Sequence, residues 1–365
     1  MSLNIVILGL SITSSWGNGH ATTYRSLVRG LSELGHRVLF LERDQPWYEE
    51  HRDLHEADYV RVGLYESLSQ LKREYARDVQ KADLVIVGSY VPEGVEVGRW
   101  VTRTAQGVSM FYDIDTPITL GMLEQGDESY LSRALVPRYA VYLSFTGGPA
   151  LELIEKQFGS PRARALYCGV DAELYYPEPQ ALRWDLGYMG TYSDDRQPGL
   201  ERLLLSAAER LPACRFAVVG PQYPDHIAWP ANVTRQNHLA PAEHRAFYNQ
   251  QRFTLNITRA RMRALGHSPS VRLFEAAACG TPIISDSWPG LETLFEPGRE
   301  ILIAETSEDT ERYLTEISEA ERSAIADCAR ARIMRNHTGR HRAEQLVRYL
   351  REAKTEHRQS AAAET

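Results

Sequence analysis

A single carboxylate, Glu275, sits in an otherwise apolar, alanine-rich stretch, SPSVRLFEAAACGTPIISD, that runs from Ser268 to Asp286. Small polar residues around a proline open the stretch. Cys279-Gly280-Thr281-Pro282 breaks the helix before a buried strand begins at Ile283-Ile284. A loop that enters a helix N-terminus presents backbone N–H groups and a partial positive charge, which suits a phosphate. Ser268 and Ser270 can donate hydroxyl hydrogen bonds to such an anion. A carboxylate further along the helix accepts two hydrogen bonds from a vicinal diol such as ribose. Diphosphate at the helix start and ribose at Glu275 describe a nucleoside-diphosphate ligand. The plainer alternative is a helix glutamate paired with Arg272.

Other residues could share that chemistry. Arg196 follows Asp194-Asp195 in a loop, and Arg259 follows the strand TLNIT. A leaving diphosphate needs cationic neutralisation, whereas a solvated turn arginine needs no ligand. Near the N-terminus, Gly17, Asn18, Gly19 and His20 form a glycine-bearing loop. The glycines would let a phosphate or sugar approach, with His20 on the substrate; the alternative is a tight turn capped by Asn18 or His20. The loop lacks the GxGxxG spacing and its acidic partner, so a nicotinamide site is a poor fit. Asp113 and Asp115 alternate in YDIDTP, so a continuing strand would point them to opposite faces. One would be structural, and the other would orient an acceptor hydroxyl or act as its base. Tyr192, Tyr223 and Trp288 are candidate stacking platforms for a base or sugar, with core packing favoured for Trp288.

These residues need a scaffold. A chain of 365 residues exceeds one ordinary core, so two domains are expected. Hydrophobic residues at 43% and charged residues at 24% suit a globular protein. A net charge of −7 argues against a general nucleic-acid binder. Cys168, Cys214, Cys279 and Cys328 are scattered with no CxxC pair, which reads as reduced thiols and no structural zinc. NIVILGL reads as a first strand rather than a signal peptide, and no apolar run approaches the ~18 residues of a membrane span. A cytoplasmic location is the expectation, with a frayed tail after His357.

The pattern strand, loop, helix, strand recurs from NIVILGL through HRVLFLERD, DLVIVGSY, GVSMFYD and YAVYLSF. After linker-like texture around Pro177 to Pro179, a second series runs through WDLGYMG, CRFAVVG, NVTRQNHL, FTLNIT and the Glu275 stretch. Each βαβ unit crosses over right-handed onto a parallel sheet. The expected architecture is α/β: two Rossmann-like, doubly wound parallel-sheet domains facing a central cleft, with ligands beyond the carboxyl ends of the strands. The expected boundaries are 1–172, 173–340, and a C-terminal helix and tail at 341–365 that can cross back to the first domain.

The chain resembles the GT-B glycosyltransferases of group 1 (GT4-like), and more narrowly the CgeB-like (spore maturation protein CgeB) family. SVRLFEAAACGTPIISD resembles the donor-binding helix and strand, and YCGVDAELYYP the interdomain segment. GNGH, YDIDTP and GTYSDDRQP resemble the loops around the cleft. The likeness covers about residues 4 to 350. It implies a transferase that moves a sugar from a nucleotide-diphosphate sugar to an acceptor hydroxyl, retaining, and without an essential metal or other cofactor. The first domain would take the acceptor (protein, glycan, lipid or small molecule) and the second the donor, with closure that excludes water. No nucleic-acid partner and no integral membrane segment are expected.

Residue by residue, the resemblance places Glu275 at the second glutamate of a Glu-x7-Glu motif, whose first position holds His267. It puts Thr191 near the arginine and Arg196 near the lysine that clamp the diphosphate. The donor set is then Gly17, Gly19, Tyr192, Arg196, Arg259, His267, Ser268, Ser270 and Glu275; the catalytic set is His20, Asp113 and Asp115. Alternatives on the same architecture are a nucleotide-sugar epimerase, and a non-catalytic nucleotide-sugar binding protein motivated by the altered motif positions.

Overall fold

The computed structural model describes residues 2–16, 19–54 and 57–363. Two compact units are present, Met1–Gly169 with Gly339–Thr365, and Val170–Thr338. In the first unit, apolar runs form β1 (Asn4–Gly9), β2 (Arg37–Arg43), β3 (Arg61–Tyr65), β4 (Leu84–Gly88), β5 (Val108–Asp113), β6 (Val141–Ser144) and β7 (Ala163–Ala165). The sheet order is β3-β2-β1-β4-β5-β6-β7 and every pair is parallel, with Ile5 between Val38 and Leu84. Parallel neighbours require crossovers, and helices supply them on both faces. The near-continuous apolar sequences follow, since such strands are buried on both sides.

The second unit repeats the plan with β8 (Trp184–Met189), β9 (Phe216–Val219), β10 (Val233–Gln236), β11 (Gln251–Asn256), β12 (Ile283–Ser285) and β13 (Leu302–Ile303). Its order is β10-β9-β8-β11-β12-β13, again parallel throughout. Each sheet reverses its winding once, between β1 and β4 and between β8 and β11. Those switch points open a crevice at the carboxyl ends of the strands. The sequence pattern leaves β3, β7 and β13 unassigned, as well as the helix Thr116–Glu124 that follows YDID. Among the described residues no helix is long and apolar enough to cross a membrane, and all four cysteines are free thiols.

The last helix, Gly339–Ala363, lies against the helix His20–Glu33. Their backbones approach so closely that a Cβ at Gly30 would stand 2.4 Å from the Gly339 carbonyl oxygen. Alanine normally gains about 1 kcal/mol over glycine inside a helix. Here the added methyl meets backbone, which cannot rotate away, and overpacking costs about 1–3 kcal/mol. Gly30→Ala is therefore expected to lower the denaturant midpoint, against the sign that helix propensity alone would give.

Candidate functional site

In the second unit the site begins with the turn into the helix Val271–Ala278. Gly266 (φ 70°) and His267 (φ 47°) both hold left-handed backbone, a strain that persists only where the surroundings enforce it. The His267 ring lies against Gly290, where any Cβ would fall 2.3 Å from Nδ1. Ser268 is fully buried. Ser270 is the N-cap residue, yet its hydroxyl makes no cap bond; it donates to Asn256 Oδ1 at 2.8 Å. Both serine side chains are thus turned inward rather than toward an incoming anion. What the helix start still offers is its first backbone N–H groups, which have no acceptor within the helix.

Arg272 makes no hydrogen bond to Glu275, the plainer alternative for that carboxylate. Its Nε and Nη2 donate to the Met189 carbonyl at 2.8 and 2.5 Å, and its Nη1 to Asn256 Oδ1 at 2.8 Å. The guanidinium spans the ends of β8 and β11, at the switch point, 4.8 Å above the Tyr188 ring. It is buried, and among the described residues no carboxylate lies within 4 Å of it. Asn256 completes a hub by donating to Ser285 Oγ at 2.9 Å and Thr258 Oγ1 at 3.3 Å.

Glu275 lies one turn further in, 7% exposed. It accepts from the Tyr248 hydroxyl at 3.0 Å and from the Tyr175 hydroxyl. Burial holds its carboxyl above the usual glutamate range, partly opposed by His244, the two phenols and Arg272. The two phenols orient the carboxylate.

Arg196 and Arg259 converge on Asp195. Arg196 Nη2 donates to the Thr191 carbonyl at 2.6 Å, and Arg259 Nε stands 3.9 Å from Asp195 Oδ1. Asp195 also accepts from the Ala260 N–H at 2.9 Å. Its burial would raise the carboxyl, but Ser193, the Ala260 N–H and the two arginines outweigh that and hold it low. The loops after β8 and β11 are thereby tied together, with both cations beside them. Next to them Tyr192 meets Tyr223 edge-on at 5.5 Å, and Tyr223 meets Trp229 at 5.5 Å. Arg235 lies 4.2 Å over Tyr223. Trp288 stands apart, buried in the interior.

In the first unit, Gly19 is the N-cap of the helix that His20 opens, and its carbonyl accepts from the Thr23 N–H at 3.3 Å. Gly17 lies outside the described residues. His20 Nε2 stands 3.6 Å from Asp115 Oδ2, with side-chain exposures of 8% and 41%. Tyr90, at φ 61° directly after β4, meets the His20 ring edge-on at 5.5 Å. The two aspartates divide sharply. Asp113 is fully buried and accepts from Tyr142 Oη at 2.5 Å, Thr119 Oγ1 at 2.7 Å and the Asp115 N–H at 3.2 Å. It is a structural carboxyl that shapes the turn, so its candidacy as a base is corrected: Asp115 is the one that reaches the surface.

Sequence reasoning missed Glu42. Its buried carboxylate accepts from the N–H groups of Ile12 and Thr13 at 2.6 and 3.0 Å and from both side-chain hydroxyls of Ser11 and Thr13. It fixes the loop that leads to His20. Asp286 does the same in the second unit by accepting from the Thr258 N–H and hydroxyl. The available signal was an acid at the end of an apolar strand.

Comparison with known proteins now bears on this geometry. Residues 196–348 match the family described as glycosyl transferase-like. No curated protein sequence matches the chain. Among solved structures, sucrose-phosphate synthase from Thermosynechococcus elongatus is 16% identical with a TM-score of 0.69, covering 96% of this chain and 99% of that one. HepE from Anabaena in complex with UDP and glucose is 15% identical with a TM-score of 0.69, covering 96% and 100%. An alpha-glucosyltransferase in complex with UDP-glucose and DNA containing an abasic site is 14% identical with a TM-score of 0.74, covering 96% and 100%. The fold is GT-B. At these identities the likeness is one of architecture. Within this GT-B chain the matched segment begins at Arg196, so β8 and the Thr191 loop stand before it.

Asp113 gives a pH test. Burial, against the opposing bonds from Tyr142 and Thr119 and aided by the charge of Asp115, pushes its carboxyl up to about 6. The ordinary value is 3.8. Between those values the folded chain keeps a proton that the unfolded chain has lost, so this group's contribution to stability falls as pH rises from 4 to 6. Asp113→Asn keeps the acceptor for Thr119 and removes the titration. Urea unfolding at pH 4 and pH 6.5 should show the variant gaining on wild type by on the order of 2 kcal/mol across that window. A constant difference would contradict the assignment.

Proposed function

We propose that the chain is a glycosyltransferase that moves a sugar from a nucleoside-diphosphate sugar to an acceptor hydroxyl, within the GT4-like, CgeB-like set, and without an essential metal. The observation that carries this is the group of arginines at the switch point of the second unit. Arg272 is a buried guanidinium with only neutral acceptors, the uncapped helix start lies beside it, and Arg196 and Arg259 flank it. Glu275 acts on Arg272 only from beyond hydrogen-bond distance, and a diphosphate at the helix start would supply an anion in direct contact. Glu275 would take the ribose hydroxyls, and Tyr192 and Tyr223 would offer a stacking face to the base. The HepE and alpha-glucosyltransferase structures hold UDP or UDP-glucose, so uridine is the first base to test.

In the transfer, the bond between the anomeric carbon and the phosphate oxygen breaks and a bond to the acceptor oxygen forms. Following the resemblance, the proton passes to the leaving diphosphate and configuration is retained. A second reading rests on Asp115: an accessible carboxylate against His20 can instead take the acceptor proton, which accompanies inversion. Proton NMR of the product decides between them. With UDP-glucose as donor, retention gives an α-linked product, and Asp115→Asn then lowers kcat by less than about tenfold because the base is not the protein's. A β-linked product with a loss of about 10²–10⁴ in kcat would transfer the proposal to the second reading. Absence of both transfer and donor hydrolysis for every nucleotide sugar tried would overturn the enzyme.

A further inference from the structure

At the amino ends of β1, β2 and β3 the first unit holds a cavity of about 650 Å³. His20 follows β1 and Asp115 follows β5, so both stand at the other end of this sheet. β1 alone spans six residues, roughly 20 Å at about 3.3 Å each. The cavity wall is apolar where the strands pass: Ile5, Val38 and Leu39 are buried, and Val60 is half-buried. Its rim is cationic. Arg37 opens β2, Arg61 opens β3, and Arg77 and Lys81 stand one turn apart on the helix Leu68–Lys81.

Asp58 and Asp78 are the acids that line it, two against those four cations, in a chain whose net charge is −7. Little of the positive charge is committed. Arg61 Nη1 stands 3.8 Å from Asp78 Oδ1, and Arg37 Nε donates to the neutral Asn4 Oδ1 at 3.0 Å. Arg77 and Lys81 have no ion pair and no side-chain hydrogen bond among the described residues. Asp83, which bonds the Asn4 N–H at 3.0 Å, is taken by Lys354 at 3.4 Å. His36 also lines the cavity; burial first, then nearby positive charge that includes Arg351, lowers it below its usual range. A helix C-terminus attracts a cation in its last turn, which accounts for Lys81. It does not account for Arg77 a turn earlier, or for arginines at the starts of two strands.

We infer that this cavity binds a phosphorylated small molecule, with the phosphate held by Arg77 and Lys81 and the body of the ligand against Val38 and Val60. The inference stands apart from the transferase reading. Guanidinium and ammonium groups are the side chains that bind phosphate, and the volume lies within the range of about 300–1,000 Å³ typical of small-molecule sites. Cations around a concavity with an apolar wall suit a compact ester. A membrane or a nucleic acid needs a broad basic face, and the net negative charge of the chain opposes both.

The test is calorimetric titration of the full chain at physiological ionic strength with glucose 6-phosphate, fructose 1,6-bisphosphate and inorganic pyrophosphate. At least one should bind one-to-one. Arg77→Ala and Lys81→Ala should each weaken it about tenfold, the worth of a hydrogen bond between charged groups, and Arg77→Lys should recover part of the loss. Arg259→Ala, in the second unit, should leave this affinity unchanged. Both first-unit side chains are exposed, so the variants should keep the thermal midpoint of wild type, measured alongside. Three outcomes overturn the site: none of the three compounds binds, the Arg77 and Lys81 variants bind as tightly as wild type, or only Arg259→Ala weakens binding. Binding to vesicles that carry phosphatidic acid, with none to the soluble compounds, would assign the phosphate to a lipid surface and also overturn it.

Discussion

The contact on which the second unit's chemistry depends is the Arg272 guanidinium laid across the ends of β8 and β11. A doubly wound sheet opens at its switch point because successive crossovers leave on opposite faces there. Something must hold the two strand ends at a fixed spacing. Arg272 does so with bonds to the Met189 carbonyl and to Asn256, and Asn256 passes the constraint on to Ser270, Ser285 and Thr258. The same guanidinium donates only to neutral acceptors and lies over a tyrosine ring. One residue thus sets the spacing of the two strand ends, and the arginines of the two neighbouring loops lie beside it.

The first unit solves the same mechanical problem with carboxylates. Glu42 collects backbone N–H groups of the loop after β1, and Asp113 collects the turn after β5. Both acids are spent on structure, which leaves Asp115 as the acid at the surface, backed by His20. The left-handed backbone of Tyr90 sets its ring against that histidine. The second unit gathers arginines at its switch point, and the first holds the Asp115 carboxylate beside His20.

The architecture was legible because parallel strands buried on both faces read as unbroken apolar runs, and NIVILG, LVIVG and FAVV stand out from any window around them. β7 and β13 span only three and two residues, too short for periodicity to register. β3 alternates polar with apolar at a sheet edge. In the second unit, the spacing of Glu275, His267 and the serines drew attention to the turn into the helix Val271–Ala278. The partners of those side chains were not legible, because they come from distant sequence: Arg272 reaches Met189 and Glu42 reaches Ile12 across long loops. The alternative i,i+3 pair of Arg272 with Glu275 is replaced by hydrogen bonds to different partners, although the two charges still act on each other. Asp113 and Asp115 could not be separated by sequence, since the strand ends between them and alternation ceases to apply.

The central claim is that the switch point of the second unit binds a nucleoside diphosphate. Calorimetric titration of wild type and Arg259→Ala with UDP, GDP, ADP and dTDP tests it most directly. Arg259 is half-exposed, so its loss should leave the fold intact. Expected is saturable one-to-one binding of one nucleotide, weakened about tenfold or more in the variant by loss of a charge-assisted hydrogen bond. A folded wild-type protein that binds none of the four, or a variant that binds as tightly as wild type, would contradict the claim.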